Sequence, residues 1–268
     1  MAVFGYYTKG LLSNRNLWFW GVAFMLFWLL LGAYSFSSGV PRNILALKAY
    51  TATWFGTIAL FSLSSLAISI AYSIYYSSYS LIYCFRHSRL TPASYVLNLI
   101  ASSSVLGILL TIIMLLTTYV LFSVRFGFNI VPYSPLDVIA VSALGGVFMM
   151  AFSITLILVV VNYAGMKSMS LVEFVPLVLA FGLGLGQINS SLPEAVLYLS
   201  PYNAIQSLLF QAYSGIAPPA EFSIHASPTL QWPLLILSLL TWIAVLLFLD
   251  LRMLGRLRPR QLEEGRQI

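Results

Sequence analysis

Between Lys48 and Arg86 the chain runs for 37 residues, 49–85, without a charged side chain, and between Arg89 and Arg125 for another 35, residues 90–124. A helix needs roughly 20 such residues to cross the hydrocarbon core of a bilayer. A water-soluble domain covers its surface with charge, about 25% of its residues. Here 7% of the 268 residues are charged and 60% are apolar. The chain reads as a polytopic membrane protein, and a soluble enzyme or a nucleic-acid binder is excluded. The net charge of +6 would point to nucleic acid in a soluble chain; here it reads as basic residues held on the cytoplasmic face.

Cutting the chain at its charges gives six expected spans, about 17–36, 52–74, 95–122, 138–164, 172–189 and 232–251. A further uncharged run, 195–220, contains Pro201, Asn203, Gln206, Gln211, Pro218 and Pro219. Charge parity separates two topologies. With six spans, Lys9, Arg15, Arg86, Arg89, Lys167, Arg252, Arg256, Arg258, Arg260 and Arg266 share one side, against Arg42, Lys48 and Arg125 on the other. Ten against three is a positive-inside pattern with both termini cytoplasmic. A seventh crossing leaves five against eight. The expected fold is therefore an all-α membrane protein of six transmembrane helices forming a single transmembrane domain, 1–268. In it, 195–220 is re-entrant or interfacial on the outer side, and 252–268 is a basic cytoplasmic tail. The first run is about twice the 7–15 residues of a signal-peptide core and carries Trp18, Trp20 and Trp28, so it reads as an uncleaved anchor.

The span interiors lack Asp, Glu, Lys, Arg and His; Asp137, Glu173 and Asp250 lie at span ends. Proton-coupled carriers keep ionisable groups at mid-depth, so proton coupling is disfavoured, while sodium coupling through carbonyls and hydroxyls stays open. Gly165-Met-Lys167-Ser168 lacks the glycines of a phosphate-cradling loop. Gly182, Gly184 and Gly186 lie inside a span, where the 182/186 spacing reads as a flat face for close helix packing. The serines have no His or Lys at their depth to activate them, so no catalytic role is expected. Cys84 is a lone cysteine, and His87 and His225 fall in different connecting segments. No metal site is expected.

Two connecting segments carry more. In 75–94, Thr91-Pro92 is a helix start, with Thr as N-cap and Pro at the first helical position. Before it, Leu81, Ile82 and Phe85 with Arg86 and Arg89 suit a short amphipathic helix on the cytoplasmic surface, or a solvated loop with basic anchors. In 182–215, Leu192-Pro193 and Leu199-Ser200-Pro201 mark two breaks between short helical stretches. The sequon Asn189-Ser-Ser191 falls on the expected outer side, close to the membrane.

Leu90-Thr-Pro-Ala-Ser94, Leu192-Pro193 and Leu199-Ser-Pro201, on this topology, resemble the permease subunits of ATP-binding cassette exporters of the second type, the class of drug, antibiotic and polysaccharide exporters. The likeness covers nearly the whole chain in topology, through short motifs. It implies an interfacial N-terminal helix around Phe4–Ser13, a coupling helix at 77–90 and an outer helical hairpin at 193–215. Tyr83, Phe85, Arg86 and Arg89 would contact the ATPase. The pathway would run between the second and fifth spans, with Trp54, Phe61, Phe174, Phe181 and Asn189 as candidate lining. Pro193, Pro201, Asn203 and Gln211 would belong to the outer gate. The implied assembly is a plasma-membrane dimer with a second copy or a related permease. Separate cassette ATPase subunits would power it, binding ATP and Mg, and this chain would hold no cofactor. The family's acidic residue and glycine before the coupling helix are absent here, where Ser77, Ser78 and Ser80 stand instead. Aromatic, serine-rich spans suit an amphipathic or hydrophobic solute. An ATP-independent carrier or channel, or an integral-membrane assembly factor, are the alternatives.

Overall fold

Thr91-Pro92, Ser134-Pro135 and Ser200-Pro201 each place a hydroxyl residue before a proline. Each pair opens a helix in the computed structural model, which describes residues 2–88, 90–164, 172–190, 192–222 and 227–255. Proline brings a fixed φ and no amide hydrogen to a position that has no intrahelical acceptor. The hydroxyl accepts the exposed amide three residues on: Ser94 N–H to Thr91 Oγ1 at 3.1 Å, Asp137 to Ser134 Oγ and Asn203 to Ser200 Oγ at 3.4 Å each.

The helices are α1 (Ala2–Leu12), α2 (Arg15–Gly39), α3 (Ile44–His87), α4 (Pro92–Phe126), α5 (Pro135–Val159), α6 (Val175–Asn189), α7 (Glu194–Leu199), α8 (Pro201–Ser214) and α9 (Trp232–Leu254). Within α2 the helix loosens into π turns at Phe19–Ala23 and Leu31–Ser35 and tightens into a 3-10 turn at Phe36–Gly39. Another π turn, Val160–Ala164, follows α5. Apart from one isolated bridge, Pro219 to Thr229, the described residues are helices and their connections. Five helical stretches are long and apolar enough to cross a membrane: Arg15–Gly39, Ile44–Ser77, Pro92–Phe126, Pro135–Asn162 and Trp232–Leu254. The chain is a multi-pass, all-helical membrane protein.

Two expected elements differ. The stretch 172–189 contains a helix of only 15 residues, Val175–Asn189. At 1.5 Å per residue it reaches roughly 22 Å, short of a hydrocarbon core of about 30 Å. Pro176 sits in its first turn and sets its start. The segment 77–90 is not a separate surface helix. No proline lies between 44 and 87, and α3 continues unbroken for 44 residues until Ser88, ahead of the Thr91 cap.

Direction follows from side-chain contacts. Tyr50 donates its hydroxyl to the Gly32 carbonyl (2.7 Å) and Ser62 to that of Gly21 (2.6 Å), so α2 and α3 are antiparallel. Arg125, ending α4, donates Nε–H to the Ala33 carbonyl and Ser37 Oγ at 3.3 Å, near the end of α2. The amides of Tyr133 and Ser134 reach the carbonyls of Tyr213 and Ala212 at 2.9 Å, placing the end of α8 beside the start of α5. At the opposite end, Tyr7 of α1 meets Tyr95 of α4 edge-on (5.3 Å), and Thr155 of α5 donates to Asp250 of α9 (2.6 Å).

The α4–α5 crossing brings two backbones into direct contact. A methyl group on Gly107 would come within 2.7 Å of the Ser142 carbonyl, and one on Gly146 would overlap the Ser103 carbonyl. Both obstacles are backbone and cannot rotate away. Gly182, by contrast, is exposed and a methyl there meets nothing within 4 Å, while one on Gly184 would lie 3.1 and 3.4 Å from Phe61 and Leu60 of α3. The close face of α6 thus runs through Gly184 and not through the 182/186 pair. Gly146→Val should destabilise the detergent-solubilised chain by about 3 kcal/mol or more and broaden its size-exclusion peak. Gly182→Ala should leave the melting temperature unchanged or slightly raised, since alanine is the better helix former.

Candidate functional site

The polar residues of 195–220 are inside the bundle. Of the 14 residues of α8, 13 are buried, Gln211 being the exception. Asn203 and Gln206 were expected at an outer mouth; both are 0% exposed. The reason is the medium: in a membrane the bundle interior, not the lipid-facing surface, is where amide groups find partners.

Three amides make the network. Gln206 donates to Thr57 Oγ1 of α3 at 2.8 Å and to the Gly184 carbonyl of α6 at 3.2 Å. Asn203 donates to the Leu183 carbonyl (3.2 Å) and to Gln187 Oε1 (3.0 Å). Gln187 donates to Ser207 Oγ (3.1 Å) and to the Pro219 carbonyl (3.4 Å). Residues 183 and 187 thus pair with 203 and 207 in the same order, so α6 and α8 run parallel. The connection, α7 included, therefore doubles back along the surface of the bundle, with Pro193, Glu194, Ala195, Val196 and Leu199 exposed, before Pro201 starts α8. Asn203 Oδ1 and Gln206 Oε1 are buried without a donor.

Beside this network an aromatic cluster joins α2, α6 and α3. Trp20, Phe24 and Trp28 recur every four residues, on one face of α2. Across from them, Phe174 meets Trp20 at 5.7 Å, and Phe181 meets Trp28 at 5.8 Å and Phe24 at 6.4 Å. Phe61 stacks on Phe181 with centroids 3.9 Å apart and planes at 12°. Phe61 is buried; the other five rings are half-buried. Half-buried rings offer stacking and apolar contact.

Of the candidate lining residues, Phe61, Phe174 and Phe181 therefore come together. Trp54 sits apart, stacked on Phe36 at 5.8 Å and pressed against Gly32, and Asn189 is exposed at the end of α6. Pro193 is exposed ahead of α7, Pro201 is buried at the start of α8, and Gln211 is half-buried. At the far end of α3, Tyr83 is 65% exposed and lies over His87 at 4.6 Å, and Arg86 is exposed. Phe85 is turned inward onto Tyr95 at 5.8 Å; Arg89, the fourth coupling candidate, and His225 lie outside the described residues. The α2 rings, Gln187 and Thr57 were not singled out from sequence. The four-residue aromatic spacing was a legible sign of the first group; nothing local distinguishes Thr57 from its neighbours. Among the described residues no group of three His, Cys, Asp or Glu side chains is placed to hold a metal. Against known protein families and curated protein sequences, the chain matches none.

The network makes a measurable claim about α3 and α8. Thr57→Val and Gln206→Met should each lower stability, by about 1 kcal/mol for an interhelical bond in a membrane protein. The double variant should cost less than the sum, because either change alone removes the same bond. A double-mutant cycle on thermal unfolding in detergent reads the coupling; strict additivity would mean the bond contributes nothing.

Proposed function

We propose that the chain is the membrane-spanning permease subunit of an ATP-driven exporter, acting as a pair with a second copy or a related permease and powered by separate cassette ATPase subunits. The observation that carries this reading is the doubled-back α6–α7–α8 arrangement, which we read as a re-entrant hairpin between the fifth and sixth apolar segments. The ten-to-three distribution of basic residues supports it, with both termini cytoplasmic and six crossings in the plasma membrane. In this reading α6 completes the fifth crossing together with the residues before it. The half-buried aromatic cluster of α2, α3 and α6 is the surface toward which an amphipathic or hydrophobic solute would be drawn. The end of α3 carries the ATPase contact through Tyr83 and Arg86, which face outward, while Phe85 holds that end against α4. Energy from a separate ATPase fits span interiors without ionisable groups at mid-depth.

A reporter fused after Ile268 should read as cytoplasmic, and a cassette ATPase should co-purify with the chain. Tyr83→Ala with Arg86→Ala should abolish ATP-driven export severalfold or more while the chain still inserts and elutes normally. Full transport by that variant would place the contact elsewhere, and an outward C-terminus would sink the six-span topology.

Accessibility tests the hairpin. In a Cys84→Ser background, Gln211→Cys should react with an impermeant thiol reagent added outside. Asn203→Cys, fully buried beside Gln187, should react much more slowly and accelerate only when turnover moves the hairpin. Labelling of Gln211→Cys from the cytoplasmic side alone would mean that α8 completes a crossing.

A further inference from the structure

Between α5, α6, the α7–α8 turn and α9 lies a cavity of about 280 Å³, lined by Phe148, Phe152, Leu179, Leu183, Leu199 and Trp242 among others. Its wall presents almost no polar surface. Trp242 donates its indole N–H to the Leu199 carbonyl at 2.7 Å, and Ser200 Oγ accepts the Asn203 amide at 3.4 Å. The Tyr202 hydroxyl has no hydrogen-bond partner, but protein covers it and it presents no surface to a ligand. A polar or charged ligand would lose its hydration here and gain no partner.

Depth identifies the surrounding medium. Trp242 is the eleventh of the 23 residues of α9, and Phe148 the fourteenth of the 25 of α5. The cavity thus lies midway along two membrane-crossing helices. Its rim is exposed and apolar: Leu199 is 68% exposed, Leu179 and Val196 each 37%. At this level the space outside the bundle holds lipid acyl chains. A helix with its side chains is about 10–12 Å across and does not enter a recess of 280 Å³. A single flexible chain does.

From this geometry we infer that the cavity is a lipid site, taking one acyl chain of a bilayer phospholipid beneath the Ser200–Pro201 turn. The chain leaves one apolar medium for another, so hydration contributes little. What it gains is dispersion contact with walls that otherwise face a void. The site follows from the cavity and its depth and holds with or without the exporter reading.

The test uses the full chain in nanodiscs of phosphatidylcholine doped with a phosphatidylcholine bearing a diazirine in the distal half of one acyl chain. After illumination, peptide mass spectrometry should find adducts on Phe152, Leu183 or Trp242, as well as on the exposed Leu237 and Val245 of α9. A headgroup diazirine should label none of the three cavity residues. Leu183→Trp and, separately, Leu179→Trp should lower the cavity adducts severalfold and leave those on Leu237 and Val245 unchanged. Labelling of Leu237 without any cavity adduct in the unsubstituted chain would overturn the site, whatever the fate of the variants. So would cavity adducts that persist undiminished in both filled variants. A disulfide between copies at Leu199→Cys, with no lipid adduct, would mean that a second protomer covers the cavity instead.

Discussion

Everything in this bundle turns on the rule that a polar group in a membrane protein finds its hydrogen bond inside the protein or not at all. The amides of Gln187, Asn203 and Gln206 have six N–H donors between them, and all six are used, on carbonyls, hydroxyls and one another. The acceptors are treated differently. Gln187 Oε1 is paired, while Asn203 Oδ1 and Gln206 Oε1 are not. Those donors fix where α8 lies, and α8 in turn packs against α3, α5, α6 and α9. The backbone end of α8 is fixed too. Gly215, in the left-handed region at φ 73°, turns the chain where a side chain would strike the Tyr133 ring.

The same rule inverts the meaning of polarity. In a soluble protein a stretch such as Pro-Tyr-Asn-Ala-Ile-Gln-Ser would be read as surface. Here the lipid-facing surface is the apolar one, with Leu237, Val245 and Phe248 of α9 exposed, and the amide-bearing helix is the most enclosed element. Charged groups obey it at the ends. Lys48 lies over the Tyr133 ring at 5.6 Å and Arg125 over Tyr34 at 5.8 Å, within the roughly 6 Å at which a cation feels a ring's π face. Two of the cations counted on the outer side are thus seated on tyrosines near the ends of the helices that carry or meet them.

Charge-free runs made the long helices legible and Thr91-Pro92 the start of one of them, because both signals are local. The length of α6 was not, since an uncharged run bounds a helix from outside but does not say where within it the backbone turns. The continuity of α3 through Phe85 and Arg86 could have been read from the missing proline, but the amphipathic pattern there suited a surface helix equally well. The site was legible only in halves. Phe61, Phe174 and Phe181 were candidates through the family resemblance, whereas their partners on α2 and the reach of Gln206 to Thr57, 149 residues away, are products of tertiary packing. No periodicity within one helix reports which neighbour it will meet.

The distribution of those bonds also limits how the hairpin can move. Four side-chain hydrogen bonds join α8 to α6: two from Asn203, one from Gln206 and one from Gln187. One, from Gln206 to Thr57, joins α8 to α3. Sliding α8 against α6 strands several buried amides in a medium that offers no substitute. Moving α6 and α8 together against α3 breaks one bond and the Phe61–Phe181 stack, and every other amide hydrogen of the three stays paired. The low-cost motion is therefore a rigid-body shift of the pair. It parts the rings of Phe61 and Phe181, and its extent is limited where the Trp242 indole holds the Leu199 carbonyl before α8 and where Tyr133 and Ser134 hold the end of α8.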